Sequence, residues 1–147
     1  MLHGFPRPTS DLDYIETIPG DAVSFLQDVA GPDSKLHEKH GIHLQYVTVA
    51  DLPESYEDRL IPLFPGLYRN LRLSALDPYD LLLSKLTRNS PVDQDDVEHL
   101  TKKMRLDPEI LRDRYFGELR PIAMGDLDKH DETLRLWIDT YFSASDG

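Results

Sequence analysis

The residues best suited to chemistry are two aspartates in the run Thr9-Ser10-Asp11-Leu12-Asp13-Tyr14. From there to Thr17 polar and apolar side chains alternate, which predicts a half-buried strand over residues 12–17. Residues two apart on a strand share a face, so Asp11 and Asp13 would present their carboxylates side by side. Two carboxylates that close repel, and either one binds a proton or a cation sits between them. Mg²⁺ suits that gap, because it takes oxygen ligands, keeps several waters and is completed by substrate phosphates. An ion held so polarises a phosphoryl group and keeps the attacking and leaving oxygens in line. The same spacing also arises by chance on a solvated strand face, and 27 acidic residues give it many chances.

Three further groups invite a chemical reading. Lys85 can neutralise phosphate as a point charge, or simply snorkel from an amphipathic helix. Asp93, Asp95 and Asp96 open a predicted helix, where acids suit the helix dipole whatever the function. His37, His40 and His43 are spaced by three; His37 and His40 would share a helix face and could meet at a divalent metal. No Cys or H-E-x-x-H pattern completes such a site, and solvent-exposed histidines are the simpler reading. Ser10 has no G-x-S-x-G elbow around it and reads as a turn or cap residue.

The elements that must position these residues divide near Asp77-Pro78. Asp21 is a good N-cap for a helix carrying Ala22, Val23, Phe25, Leu26 and Val29, stopped by Gly31-Pro32. Ser34 caps a short helix through His40, closed by Gly41. A second strand is expected over Ile42–Val49 and a third over Leu71–Leu76, after a loop bearing Pro62, Pro65 and Gly66. Four helices follow, over Tyr79–Arg88, Asp93–Met104, a segment opened by Pro108, and Asp126–Phe142. Ile110, Leu111, Tyr115 and Phe116 are expected inward on the third, and Trp137, Tyr141 and Phe142 form a core stripe on the last. The fold class is α+β: a short mixed sheet followed by a helical region. The expected organisation is one domain over 1–147, strand-rich over 1–76 and helical over 77–147.

Composition bounds the function. The 147 residues carry 27 acidic and 16 basic side chains, a net charge of −11. Such a chain is a poor general binder of nucleic acid. A nucleic-acid acceptor would need Arg7, Lys85, Arg88, Lys102, Lys103 and Arg105 to cluster. With no cysteine there is no disulfide framework, thiolate zinc site or thiol nucleophile. No run approaches the roughly 18 apolar residues of a membrane span. Residues Met1 to Pro6 also lack the pattern of a signal peptide. The expected location is the cytoplasm, with no membrane partner.

The run Gly4-Phe5-Pro6-Arg7-Pro8-Thr9-Ser10-Asp11-Leu12-Asp13 resembles the R-x-T-x-D-h-D segment (h apolar) of nucleotidyltransferase-like proteins, the superfamily of the AbiEii-type and MenT-type toxins. Residues Leu83 to Val97 are similar to a second signature of that superfamily. It pairs Lys85-Leu86 and Arg88 on one helix with D-x-x-D-h, here Asp93 to Val97, opening the next. With Glu118-Leu119-Arg120-Pro121 and Thr133-Leu134-Arg135-Leu136-Trp137, the chain is similar to a bacterial family of nucleotidyltransferase-like domains.

That resemblance implies Mg²⁺-dependent transfer of a nucleotidyl group from an NTP to an acceptor. It makes Asp11 and Asp13 the metal carboxylates, Lys85 the phosphate contact with Arg88 beside it, and Asp96 the last catalytic acid, supported by Asp93. It also suggests a toxin–antitoxin role, with a homo-oligomer or a cognate partner protein. Two departures are visible. Active members carry a Gly-Gly or Gly-Ser turn before the first acid, and none precedes Asp11 here. A third carboxylate on a later strand is often used, whereas His43 to Val49 offers none and Asp51 lies just beyond. The alternative is therefore a catalytically degenerate relative, acting as an interaction module through self-association or a partner protein.

Overall fold

The computed structural model describes residues 11–17, 19–47 and 51–142. Arg7, Ser10 and the end of the expected second strand, Thr48 and Val49, lie outside the described residues, as does the side chain of Asp11. The chain divides into two compact units, residues 1–50 and 51–147.

In the first unit, β1 (Asp11–Tyr14), α1 (Ala22–Ala30), α2 (Lys35–His40) and β2 (His43–Tyr46) follow in order. β1 and β2 pair in parallel, Asp11 opposite His43 and Tyr14 opposite Tyr46. Parallel neighbours need a long crossover, and the two helices supply it. The Tyr14 and Tyr46 rings lie 5.3 Å apart on one strand face, and Gln27 of α1 donates to the Tyr14 hydroxyl at 3.3 Å. Both helix ends follow their local chemistry. Ser34 accepts from the His37 amide, and Gly41 adopts the left-handed φ of 68° that closes α2. Gly31 ends α1 so tightly that a Cβ there would collide with the Gln27 carbonyl.

The second unit opens with a 3₁₀ turn (Tyr56–Arg59), then the antiparallel pair β3 (Ile61–Leu63) and β4 (Leu73–Ala75). β3 was expected as loop. Pro62 cannot donate to a ladder, but in a two-stranded pair every strand is an edge, and an edge tolerates it. Parallel and antiparallel pairing are thus both present, in two separate two-stranded ladders among the described residues.

Helices α3 (Pro78–Leu86), α4 (Pro91–Met104), α5 (Pro108–Arg114) and α6 (Leu127–Trp137) complete the unit, with π turns at Tyr115–Leu119 and Ile138–Phe142. Three of them begin alike. Asp77, Ser90 and Asp107 each cap with a side-chain oxygen, and proline follows at the first helical position. Proline costs nothing there, because that amide has no helical partner. This is why α4 starts at Pro91 and not at Asp93.

The core is built by α3, α4, α5 and the first π turn: Leu82, Leu83, Leu86, Val97, Leu100, Leu111, Tyr115 and Leu119 have no exposed surface. Burial of each side chain contributes roughly 1.5–3 kcal/mol. The inward stripe of the third helix is Leu111, Tyr115 and Leu119, spaced by four. Ile110 and Phe116, expected inward, fall off that stripe and are exposed. Trp137 is buried as expected, while Tyr141 and Phe142 are half-buried. Among the described residues no helix is long and apolar enough to cross a membrane.

Charge is buried with this core. Asp80, in the first turn of α3, has no exposed surface. Arg59 grips it with two bonds, Nε to Oδ2 at 2.8 Å and Nη2 to Oδ1 at 3.0 Å. The same guanidinium holds Glu118 at 2.7 and 3.1 Å. Arg114 Nη1 lies 3.1 Å from Asp80 Oδ1 and 2.8 Å from both carboxylate oxygens of Asp77, sharing its two N–H groups between the two acids. The bond to Asp80 raises the Arg59 guanidinium above its already high value, and the bond from Arg59 in turn lowers the Glu118 carboxyl.

Replacing Arg59 with Met keeps an apolar stem but leaves Asp80 only Arg114. The expected cost is about 3 kcal/mol, the low end for a broken buried pair. The melting temperature should then fall by roughly 6–12 °C, and Arg59→Lys should restore little, because one ammonium cannot span two carboxylates. A thermal melt of R59M that matched the parent would contradict this brace.

Candidate functional site

The first signature lies in unit 1–50. The strand register puts positions 11 and 13 on the face that carries His43 and Gln45. Asp13 is exposed there. The Asp13 carboxylate offers oxygen donors of the type that Mg²⁺ takes. The histidine run is arranged differently from the spacing-based expectation. His37 and His43, not His37 and His40, come together, their rings 4.7 Å apart. His37 Nδ1 bonds the Pro32 carbonyl, so that nitrogen carries the proton. His43 Nδ1 is buried with no hydrogen-bond partner, and His40 is exposed. Among the described residues no group of three or more His, Cys, Asp or Glu side chains could hold a metal ion.

The second signature lies in unit 51–147, and its four charged residues meet. α3 stops because Asn89 takes a left-handed φ of 46°, and Ser90-Pro91 restarts the chain as α4. This tight joint sets Lys85, near the end of α3, across the opening of α4. Lys85 Nζ reaches Asp96 Oδ2 at 2.9 Å and Asp93 Oδ1 at 3.5 Å. Arg88 Nε donates to Asp93 Oδ2 at 2.7 Å, and its Nη2 bonds the other oxygen. Asp93 also accepts from the Ser90 amide at 3.0 Å and the Ser90 hydroxyl at 2.6 Å, a capping box.

Asp93 has no exposed side-chain surface, whereas Arg88 is 66% exposed. Burial alone would push the Asp93 carboxyl up. The bonds from Arg88 and Ser90 outweigh it and hold the group well below the usual carboxylate range. Asp93 is therefore a fixed anion and no proton carrier near neutral pH. Its chemistry is to hold two cations, Lys85 and Arg88, at one helix joint. Acids at a helix start suit the helix dipole whatever the function. Asp93 does cap the helix, but the burial of Asp93 and Asp96 against Lys85 and Arg88 goes beyond that.

Beside this block is a cleft of about 210 Å³, open to solvent and lined by Asn89, Gln94, Thr133, Leu136, Trp137, Thr140 and Tyr141. Sequence reasoning passed over Asn89 and Gln94, although both stand inside the second signature. It assigned Trp137 and Tyr141 to the core. The available signal was an asparagine immediately before a Ser-Pro helix start, since asparagine is the commonest residue besides glycine to accept a left-handed backbone.

Because the folded value of Asp93 is depressed, its contribution to stability is present above the unfolded carboxylate value of about 4 and is lost as the pH falls below it. Asp93→Asn should lower stability near neutral pH by roughly 2–3 kcal/mol and flatten the acid limb. Thermal melts across that pH range check both, and a parent-like acid limb in D93N would refute the assignment.

No curated protein and no solved structure matches this chain. A protein-family model does, over residues 1–141, which takes in both charged signatures and the cleft. The chain belongs to that family, described as nucleotidyltransferase of unknown function (DUF6036).

Proposed function

We propose that the protein is a Mg²⁺-dependent nucleotidyltransferase that moves a nucleotidyl group from an NTP to an acceptor hydroxyl. The observation that carries this reading is the meeting of Lys85, Arg88, Asp93 and Asp96 at one helix joint, in a chain whose family is described by that activity. In the reaction the acceptor oxygen attacks the α-phosphorus, the bond to the β-phosphate bridging oxygen breaks, and pyrophosphate leaves. The hydroxyl proton passes to solvent or to a carboxylate at the site. Asp11 and Asp13 would hold the metal, which supplies charge neutralisation on the reacting phosphate. Lys85 and Arg88 would take up phosphate charge, with Asp93 fixing their position and Asp96 orienting the Lys85 ammonium. Lys102, Lys103 and Arg105 are exposed around the end of α4; a nucleic-acid acceptor would need these to cluster with Arg7, Lys85 and Arg88 against the net charge of −11. We place the reaction in the cytoplasm.

A second reading, a catalytically degenerate interaction module acting through self-association or a partner protein, has one specific observation behind it. The loop joining β3 and β4 displays Phe64, Leu67, Tyr68 and Leu71 at 60, 65, 46 and 50% exposure. Apolar side chains grouped on one loop favour a protein partner. A monodisperse monomer in light scattering at high concentration would argue against self-association.

Thermal unfolding with Mg²⁺ and each common NTP separates the two readings. A ligand at a hundred times its dissociation constant adds about 2.7 kcal/mol, or roughly 5–11 °C for a domain of this size. One nucleotide should give such a shift, and Asp13→Asn should lose it while melting like the parent without ligand. A parent that no NTP shifts, or an unchanged shift in D13N, would overturn the enzymatic reading.

A further inference from the structure

The cleft beside the charged block carries a hydrogen-bonding pattern whose polarity is forced. Trp137 Nε1 is a donor and nothing else, and it lies 3.2 Å from the Asn89 side-chain amide. The Asn89 atom facing it must therefore be Oδ1. That oxygen only accepts, so the Gln94 atom bonded to it at 3.2 Å must be Nε2. Neither amide can flip without setting donor against donor or acceptor against acceptor. Asn89 Nδ2 and Gln94 Oε1 are the remaining amide atoms, a donor and an acceptor on two side chains that line one cleft. Neither atom is among the buried side-chain atoms that lack a hydrogen-bond partner.

The rest of the lining suits a flat ring. Trp137 is 3% exposed and forms the floor, while Leu136 and Thr140 are exposed at the rim. Tyr141 is half-buried, and burial pushes its phenol up, with Glu98 and Asp95 adding to the effect. The phenol stays neutral and the ring can stack. The volume of about 210 Å³ falls below the roughly 300–1,000 Å³ of pockets that engulf a whole small molecule. It matches a single planar ring system whose substituents extend outside. Every nucleobase offers an acceptor beside a donor on its pairing edge, the complement of Asn89 Nδ2 and Gln94 Oε1.

We infer that this cleft binds a nucleobase, reading its pairing edge with Asn89 and Gln94 and stacking it on Tyr141. The left-handed backbone at Asn89 has a function in this arrangement: it ends α3 and turns the amide onto Trp137 and Gln94. The inference deepens the proposed nucleotidyl transfer by seating the base, and it rests on that reading for the choice of nucleotide among planar heterocycles.

The test uses nucleosides, which carry no phosphate and need no metal, so its result is independent of transfer activity. In ¹⁵N-labelled protein the indole of Trp137, the sole tryptophan, and the side-chain amides of Asn89 and Gln94 are followed during titration with adenosine, guanosine, cytidine and uridine. At least one nucleoside should move all three signals saturably at millimolar concentration. Gln94→Ala should weaken that binding about tenfold, the share of one hydrogen bond. Thr140→Phe, which fills the rim from an exposed position, should abolish it while leaving the melting temperature unchanged. If none of the nucleosides moves these signals while Mg-NTP still stabilises the protein, the cleft is not the base site although nucleotide binding stands. Saturable shifts with no transfer to any acceptor would keep the cleft and remove the enzymatic reading. Equal affinity in the parent and in Q94A would overturn the assigned pairing edge.

Discussion

Asp80 sits in the first turn of α3 with no water to share its charge, and much of unit 51–147 follows from the need to neutralise it. A lone carboxylate buried in this way would cost several kcal/mol. Arg59 therefore reaches in from the 3₁₀ turn before β3, and Arg114 from the end of α5. Each guanidinium binds a second acid, Glu118 and Asp77 respectively. The backbone amide of Ser55 also donates to Glu118 at 3.2 Å. The short segment ahead of the hairpin docks Pro53, which is fully buried, with Leu52, Tyr56 and Leu60 half-buried. The partly buried ion pairs of Arg59 with Asp80 and Glu118 add to that docking.

The same device recurs at the joint between α3 and α4, with a different consequence. Asp93 is buried as completely as Asp80, but its partner Arg88 is mostly exposed, and Lys85 is shared with Asp96. One anion therefore serves as helix cap, as anchor of a turn and as holder of two cations. Such economy ties the function of the joint to its stability, because a change in Asp93 disturbs the cap and the cations together. It also explains why residues of the second signature are close in sequence. A helix end, a left-handed residue and a Ser-Pro start leave little freedom in the connection, so the geometry of the cations is set over a short stretch of chain. The cleft at Asn89 and Gln94 follows from that same turn, since both amides are carried by it.

Local chemistry made many elements legible before any coordinates. The Ser34 cap, the left-handed Gly41 and the Pro108 helix start depend on preferences within a few residues, which are written in the sequence itself. The Asp77-Pro78 and Ser90-Pro91 starts, by contrast, lie ahead of the Tyr79 and Asp93 starts that periodicity suggests. β3 was not legible, because Pro62 and Gly66 read as loop and only pairing with Leu73–Ala75 makes residues 61–63 a strand. Ile110 and Phe116 were assigned inward because periodicity places an apolar stripe without fixing its phase. Packing on α3 selected Leu111, Tyr115 and Leu119. The resemblance marked Lys85, Arg88, Asp93 and Asp96 in advance. It could not show that these residues neutralise one another, because an ion pair depends on how two helices cross.

By itself the sequence determined the fold class, the helices in outline and the Ser34 cap, the absence of thiol chemistry and the two charged signatures. These depend on composition and on interactions between near neighbours. Asp21, expected to cap α1, makes no side-chain cap bond. Tertiary structure alone decided which acids lose their water, that His37 meets His43 and not His40, and that Asn89, Gln94 and Trp137 form one hydrogen-bonded chain. Burial and pairing join residues such as Asn89 and Trp137, 48 positions apart. The physical reason is that desolvation depends on what packs against a side chain, and that is settled only when distant segments come together.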